Sequence, residues 1–208
     1  IAEVPLDLRV LAPLLVEQIL DKVAESTRRI IARQQNAGKL NLAVSPAFAP
    51  QWLMSRLPAF AKRHADLRID MVTREGPFDL LREQIDVAIS YGRGTWKDAI
   101  VEPLTQNSLI AVRSPRLRFV GDPLNPETWL SLPLLQKAGA VSAWTAWFKM
   151  LGLDPNEKCV KAEFEQLSTV IEAAEAGLGV ALVPELFVVE ALARGDLLHI
   201  SHMKVRDP

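Results

Sequence analysis

The stretch from residue 40 to residue 70 constrains the fold more than any other part of the chain. It holds an apolar run that ends at Ser45-Pro46, a segment with apolar residues at helical spacing, and a second apolar run. This order predicts a β-strand, a turn, an α-helix and another strand. Such a unit joins two parallel strands and places a helix N-terminus at the carboxyl end of the first strand. Open α/β sheets bind small ligands at that edge.

The same alternation continues after this unit and then restarts. The first series predicts three strands and two helices, at 39–45, 67–73 and 86–90 and at 50–63 and 77–84, with an apolar run at 108–112. A Pro- and Gly-rich stretch follows at 115–133. The second series predicts strands at 133–136, 159–164 and 179–183 and helices at 142–151 and 166–176. A helix at 185–194 and an apolar run at 197–200 come last. Alternation predicts mostly parallel sheets, and the restart predicts two α/β units.

A long helical pattern at 7–36 precedes all the predicted strands. Leu8, Leu11 and Leu15 begin an apolar stripe at three- and four-residue steps, and Gly38 follows the end of the helix. The stripe comes before anything that it could pack on locally, so it predicts contact with another subunit or a further domain. The alternative is an ordinary helix packed on its own domain.

The composition argues against a nucleic-acid-binding surface on this chain. Lys and Arg number 24 and Asp and Glu 25, which gives a formal net charge of −1. The single cysteine, Cys159, excludes an internal disulfide and fits a reduced cytosol. Neither a membrane span nor a signal-peptide pattern is visible. The first residue is Ile rather than Met, which predicts a piece of a longer protein.

Polar side chains end three of the predicted strands. Ser45 ends the first, Thr73 and Arg74 end the second, and Tyr91 follows the third. Because the carboxyl ends of parallel strands meet at one edge, these residues predict a binding site for a polar or anionic ligand. The alternative for Ser45 is a plain helix cap. Trp144, on a predicted helix, is either a core residue or a side chain that closes over a ligand.

Catalytic and metal sites find little support in the sequence. His199 and His202 are three residues apart but have no cysteine or carboxylate cluster nearby, so we predict no metal site. Gly177 and Gly179 follow a helix and enter a strand, which is the reverse of the dinucleotide-binding order. Cys159 has no sequence cue for a catalytic base. We therefore predict that the chain is not an enzyme and carries no cofactor.

Several stretches together resemble one known family. They are KLNLAVSPAFAPQWLMSRLPAFAKRHADLRIDM, DVAISYGRGTW and EAGLGVALVPELF, after a long helix. This pattern is similar to that of the LysR-type transcriptional regulators, in particular their glycine-cleavage-activator-like branch, over nearly the whole chain. The resemblance implies an α/β fold with two Rossmann-like subdomains, type II periplasmic-binding-protein-like, and an N-terminal linker helix.

The restart of the alternation after the Pro- and Gly-rich stretch predicts a division of the chain, with 38–113 and 185–208 as effector subdomain I and 114–184 as subdomain II. The resemblance implies a linker and dimerisation helix at 1–37 and an effector site. The effector, a small polar metabolite such as an amino acid or organic acid, would bind in the cleft between the subdomains. The predicted contacts are Ser45, Pro46, Ala47, Phe48, Thr73, Tyr91, Trp144 and Glu165.

The family also implies partners for the intact protein. It would be a cytoplasmic homodimer or homotetramer that binds DNA through an N-terminal domain absent from this chain, with RNA polymerase as a further partner and no membrane. The alternative is a free-standing solute-binding protein, or an enzyme, of the same fold. The predicted linker helix argues against that alternative, because a secreted binding protein would begin with a signal peptide and a strand.

Overall fold

The computed structural model describes residues 38–76, 78–91, 96, 99–105, 107–118, 120–122, 124–154 and 160–206. The predicted helix at 7–36 and Cys159 lie outside these residues. The described residues form two compact units. The first unit holds the residues up to Ser45 together with Leu53–Leu104, and the second holds Pro46–Trp52 together with the residues from Thr105 onward.

The first unit is built on a three-stranded parallel sheet. Its strands are β1 (Lys39–Val44), β2 (Arg68–Thr73) and β3 (Val87–Ile89), in the order β2-β1-β3. In the central strand, Leu40, Leu42, Ala43 and Val44 are all buried. The last three of these are consecutive and point to alternate faces, so both faces of the strand are covered, as is typical of a central parallel strand. The predicted strands of the first series are therefore confirmed to within about two residues.

The predicted helix at 50–63 is interrupted in the structure. A π-helical turn, Ala49–Leu53, comes first, and α1 (Leu57–Arg63) begins only after an intervening turn. Pro58 lies in the first positions of α1. Proline has no N–H to donate and fits only the first turn of a helix, so a new helix begins here rather than continuing the earlier one.

The predicted helix at 77–84 is wrong for the residues that the structure describes. Residues 80–84 form turns, and Gln84 has a left-handed φ of 56°. The Asp79 carboxylate accepts a hydrogen bond from the Arg82 amide at 3.0 Å. Local side-chain bonds of this kind compete with helix formation, which explains why the apolar spacing misled the prediction.

The second unit contains a mixed sheet with helices. Its strands are β4 (Ser108–Arg113), β5 (Leu134–Lys137), β6 (Val160–Phe164), β7 (Val180–Pro184), β8 (Leu198–His199) and β9 (Val205–Arg206). Its α-helices are α2 (Val141–Met150), α3 (Leu167–Glu175) and α4 (Val189–Arg194), with 3₁₀ turns at Pro126–Ser131 and Glu185–Phe187. The strand order is β6-β5-β7-β4-β8, and β9 also pairs with β4.

The strand pairing differs from the predicted grouping of 38–113 with 185–208. β4 pairs antiparallel with β7, with Ile110 opposite Val183, and β8 and β9 pair with β4. These strands therefore belong to the sheet of the second unit. The physical reason is that β4 is almost fully buried and satisfies its backbone on both sides within that sheet. The role predicted for 1–37 stays a prediction.

The core of the second unit is a cluster of aromatic side chains. The Trp147 ring centroid lies 5.1 Å from that of Trp129 and 6.3 Å from that of Trp144. Phe148 lies 6.2 Å from Trp144. Aromatic pairs at these distances bury large areas and add specific ring contacts. This cluster anchors α2 to the 3₁₀ turn and to the sheet.

The Glu175 carboxylate, at the end of α3, gives the second unit a testable pH dependence. Burial raises the pKa of Glu175, the Asp196 charge raises it further and Arg194 opposes the change. A carboxyl whose pKa is higher in the folded state favours folding while it is protonated, and stability falls as the pH rises through that pKa. We expect Glu175→Gln to raise Tm at about pH 7, and the gain to vanish below the ordinary pKa of a glutamate, about 4.3. Calorimetry at the two pH values measures this, and a gain that persists in acid would contradict it.

Candidate functional site

The carboxyl end of β1 is the topological switch point of the first sheet. From β1 the chain passes to β2 on one side, and β3 then lies on the other side. Crevices at such a point, where connections diverge, are the usual ligand sites of open α/β sheets. The Ser45 amide donates to the Ile89 carbonyl at 3.0 Å. Ser45 therefore lies at the switch point, beside the end of β3.

The end of β2 lies on the other side of Ser45. Val44 pairs with Thr73, and the Arg74 amide donates to the Val44 carbonyl at 2.9 Å. Ser45 is half-buried and Thr73 is exposed. Tyr91, two residues after β3, is exposed as well. The ends of these parallel strands therefore lie at one edge of the sheet, where Ser45 and Thr73 bring two hydroxyl groups. Their contact with a ligand stays a prediction, as does that of Tyr91.

Arg74 brings a positive charge to this edge. Its Nε donates to the Glu83 carboxylate at 2.7 Å, and its Nη1 donates to the Thr73 carbonyl at 2.9 Å. The guanidinium is thereby held in one orientation while its side chain stays 43% exposed. The sequence placed Arg74 at the strand end, but its partner Glu83 is nine residues further along the chain and gave no local signal.

The turn after Ser45 contributes mainly to packing. The Ala47 carbonyl accepts from the Gln51 amide at 3.2 Å. The Phe48 ring lies 4.7 Å from the ring of Trp52 and 6.1 Å from that of Phe187, and its side chain is buried. Within the second unit, Phe48 is therefore a packing residue. The predicted ligand contacts of Pro46, Ala47 and Phe48 stay predictions.

Trp144 is a core residue, so its interpretation as a side chain closing over a ligand is corrected. It is 4% exposed, and its Nε1 donates to the Leu135 carbonyl at 2.9 Å. A buried indole with its N–H satisfied has no reason to leave the core. Glu165 is exposed and directly follows β6, and its predicted contact stays a prediction.

A small apolar cavity in the first unit does not compete with this site. Its volume is about 10 Å³, close to that of one water molecule. The lining residues are Leu40, Leu42, Leu53, Leu57, Phe60, Ile69 and Ile89. Neither the volume nor the lining suits a polar metabolite.

The described residues offer little for metal chemistry. They contain no group of three or more His, Cys, Asp and Glu side chains arranged to hold a metal ion. Burial lowers the pKa of His199, while the Glu185 charge acts in the opposite direction. Every helix in the described part of the chain is too short or too polar to traverse a lipid bilayer.

Comparison with known proteins gives consistent matches. The family model of the LysR substrate binding domain matches residues 33–201. The glycine cleavage system transcriptional activator of Escherichia coli (strain K12) is 33% identical over 186 residues, covering 88% of this chain and 60% of that protein. The HTH-type transcriptional regulator TrpI of Pseudomonas aeruginosa is 34% identical, covering 80% of this chain and 58% of that protein.

A solved structure agrees with these relatives. The effector domain of the transcriptional regulator AmpR of Pseudomonas aeruginosa superimposes with a TM-score of 0.66 at 25% identity. The match covers 82% of this chain and 81% of that domain. The chain spans about three fifths of the length of the two curated relatives named above.

Proposed function

The chain belongs to the family of LysR substrate binding domains, and we propose that it is the effector-sensing region of a DNA-binding transcriptional regulator. The family resemblance and the α/β fold of periplasmic-binding-protein type are confirmed. The curated relatives are named as transcriptional regulators and not as enzymes, in agreement with the prediction that this chain is no enzyme.

The proposal for the site rests on one observation, the switch point at the end of β1. Ser45 follows that strand, and its amide is bonded to the end of β3. Thr73 and Arg74 end the strand on the other side. We place the effector against Ser45, Thr73 and Tyr91, because hydroxyl groups at converging strand ends suit a small polar metabolite.

A thermal-shift screen of amino acids and small organic acids tests effector binding. A ligand that binds only the folded state stabilises it by RT ln(1 + [L]/Kd), about 2.7 kcal/mol at a hundred times Kd. For a chain of this size we expect a rise in Tm of roughly 5 °C. Failure of every compound to raise Tm at millimolar concentration would count against effector sensing by this chain.

Alanine variants locate the binding. Ser45→Ala and Thr73→Ala each remove a hydroxyl from the proposed site. Each should weaken the affinity for the stabilising compound by about tenfold, as expected for one hydrogen bond lost to a polar ligand. The control is Thr145→Ala, on α2 of the second unit. If both site variants bound the compound as tightly as the wild type, the effector site would not lie at this edge of the sheet.

The apolar stripe of 7–36 carries the proposal for oligomerisation. We propose that this segment pairs with the same segment of a second chain, as C2 dimers require. Light scattering should give a dimer or larger assembly for residues 1–208 and a smaller mass for a chain that starts at Lys39. Equal subunit numbers for the two would show that the segment does not hold the chains together.

In the intact regulator, we propose that effector binding changes the arrangement of the subunits in the oligomer. The effector would favour one of two pre-existing arrangements of the subunits, and its differential affinity for the two limits the size of the response. DNA contact would come from a separate domain, since this chain carries a net charge of −1.

A further inference from the structure

Arg74 lies beside the proposed effector site, and part of its guanidinium has no partner among the residues that the structure describes. Its amide is bonded to the carbonyl of Val44, the residue that precedes Ser45. Neighbouring strands are about 4.8 Å apart, so the Arg74 backbone lies roughly one strand spacing from that of Ser45. The side chain therefore starts from the same edge as the two hydroxyl groups.

The guanidinium is oriented but not saturated. Nε donates to Glu83 and Nη1 to the Thr73 carbonyl. Among the described residues Nη2 has no acceptor, and arginine has five N–H donors in all. An arginine already fixed by two hydrogen bonds loses little side-chain entropy when it binds an anion, and its planar fork matches carboxylate and phosphate oxygens.

We infer that Arg74 is the anion anchor of the effector site, so the effector carries a carboxylate or phosphate group. This inference rests on the proposed function and adds the chemical class of the ligand. Glu83 holds the guanidinium in place, and its negative charge moderates the attraction for the anion. The Thr73 hydroxyl, on the preceding residue, supplies a neutral donor beside the charge.

The same strand provides a matched control at its opposite end. Arg68 begins β2, and its Nε donates to the Asp70 carboxylate at 2.8 Å. Lys39 also binds Asp70, at 3.0 Å. Arg68 is thus an exposed arginine in a comparable ion pair, but it lies at the amino end of the strand, away from the site.

The experiment measures Tm of the full chain with sodium acetate, succinate, citrate and phosphate, each against sodium chloride at equal ionic strength. Succinamide and acetamide are the uncharged counterparts. We expect at least one anion to stabilise the wild type and the amides not to. Arg74→Gln should weaken the affinity for that anion tenfold or more, and Arg74→Lys should weaken it less. Arg68→Gln should leave the affinity unchanged.

A second variant tests the assigned role of Glu83. Glu83→Gln keeps an acceptor for Arg74 Nε but removes the opposing charge, so it should bind the stabilising anion about threefold more tightly. Unchanged or weaker binding would overturn this role. Comparison of carboxylates with phosphate identifies which anionic group the site prefers.

The outcomes separate this inference from the proposed function. If no anion stabilises the wild type beyond chloride, or if Arg74→Gln and Arg68→Gln behave alike, Arg74 is not the anchor. If a neutral metabolite stabilises the chain, loses affinity in Thr73→Ala and keeps it in Arg74→Gln, the effector site stands and the anion inference is overturned.

Discussion

Gly179→Ala is expected to destabilise the second unit by about 3 kcal/mol, lowering its Tm by roughly 10 °C. A Cβ atom at Gly179 would lie 2.2 Å from the Pro133 carbonyl oxygen and 2.9 Å from the Leu135 side chain. The same carbonyl accepts a hydrogen bond from the Val180 amide at 2.8 Å. The new methyl group would therefore push β5 away from β7 at the point where the two strands begin to pair. Thermal unfolding followed by circular dichroism measures the loss.

Gly139→Ala is the matched control for this prediction. Gly139 has a φ of +77°, and a Cβ atom added there would have no described atom within 4 Å apart from its chain neighbours. An alanine at this position costs only the strain of the left-handed backbone conformation, about 1 kcal/mol of folding free energy. If Gly179→Ala were as mild as Gly139→Ala, the close approach of Gly179 to Pro133 would not exist in solution.

Trp147→Ala is expected to cost about 3–5 kcal/mol, because it opens a large cavity in the aromatic core. Trp147 is fully buried and packs on both Trp129 and Trp144. Its Nε1 has no acceptor among the described residues, so the loss comes from packing rather than from a hydrogen bond. Denaturant unfolding, monitored by the fluorescence of the remaining tryptophans, gives the free energy of unfolding.

Met150→Ala, on the same helix, is the control. Met150 is 53% exposed, and truncation of an exposed side chain usually changes stability by less than about 0.5 kcal/mol. Similar losses for the two variants would mean that α2 does not present Trp147 to a packed core.

The sequence predicted the first sheet well because its signal is local. β1 is mostly apolar, and Ser45-Pro46 ends the run where the structure ends the strand. The interruption of the helix at 50–63 also has a local cause, Pro58. The prediction gave more weight to the apolar spacing than to this proline. The turn at 80–84 was missed because apolar periodicity does not report side-chain capping by Asp79.

The grouping of strands depended on information that local patterns do not hold. The apolar run at 108–112 forms most of β4, but whether this strand joins the first or the second sheet depends on its partner. That partner is β7, some seventy residues away and antiparallel. Register and partner choice follow from the packing of whole faces, so alternation alone assigned β4 to the wrong neighbour.

The candidate site was predicted in part for the same reason. Parallel strands necessarily bring their carboxyl ends to one edge, so Ser45 and Thr73 followed from topology. Trp144 did not, because an aromatic side chain at helical spacing suits a core as well as a ligand cover. Its burial and its hydrogen bond to Leu135, both seen only in the folded chain, distinguish the two roles. The orientation of Arg74 by Glu83 likewise requires the folded chain.

Hydrogen–deuterium exchange with and without the effector from the screen tests the central claim most directly. Amides bonded across the strand ends report on the proposed site, among them those of Ser45 and Arg74. We predict that the effector slows exchange in the peptides that contain Ser45, Thr73–Arg74 and Tyr91. Protection confined to the aromatic core around Trp147, with these peptides unchanged at saturating effector, would contradict an effector site at the end of β1.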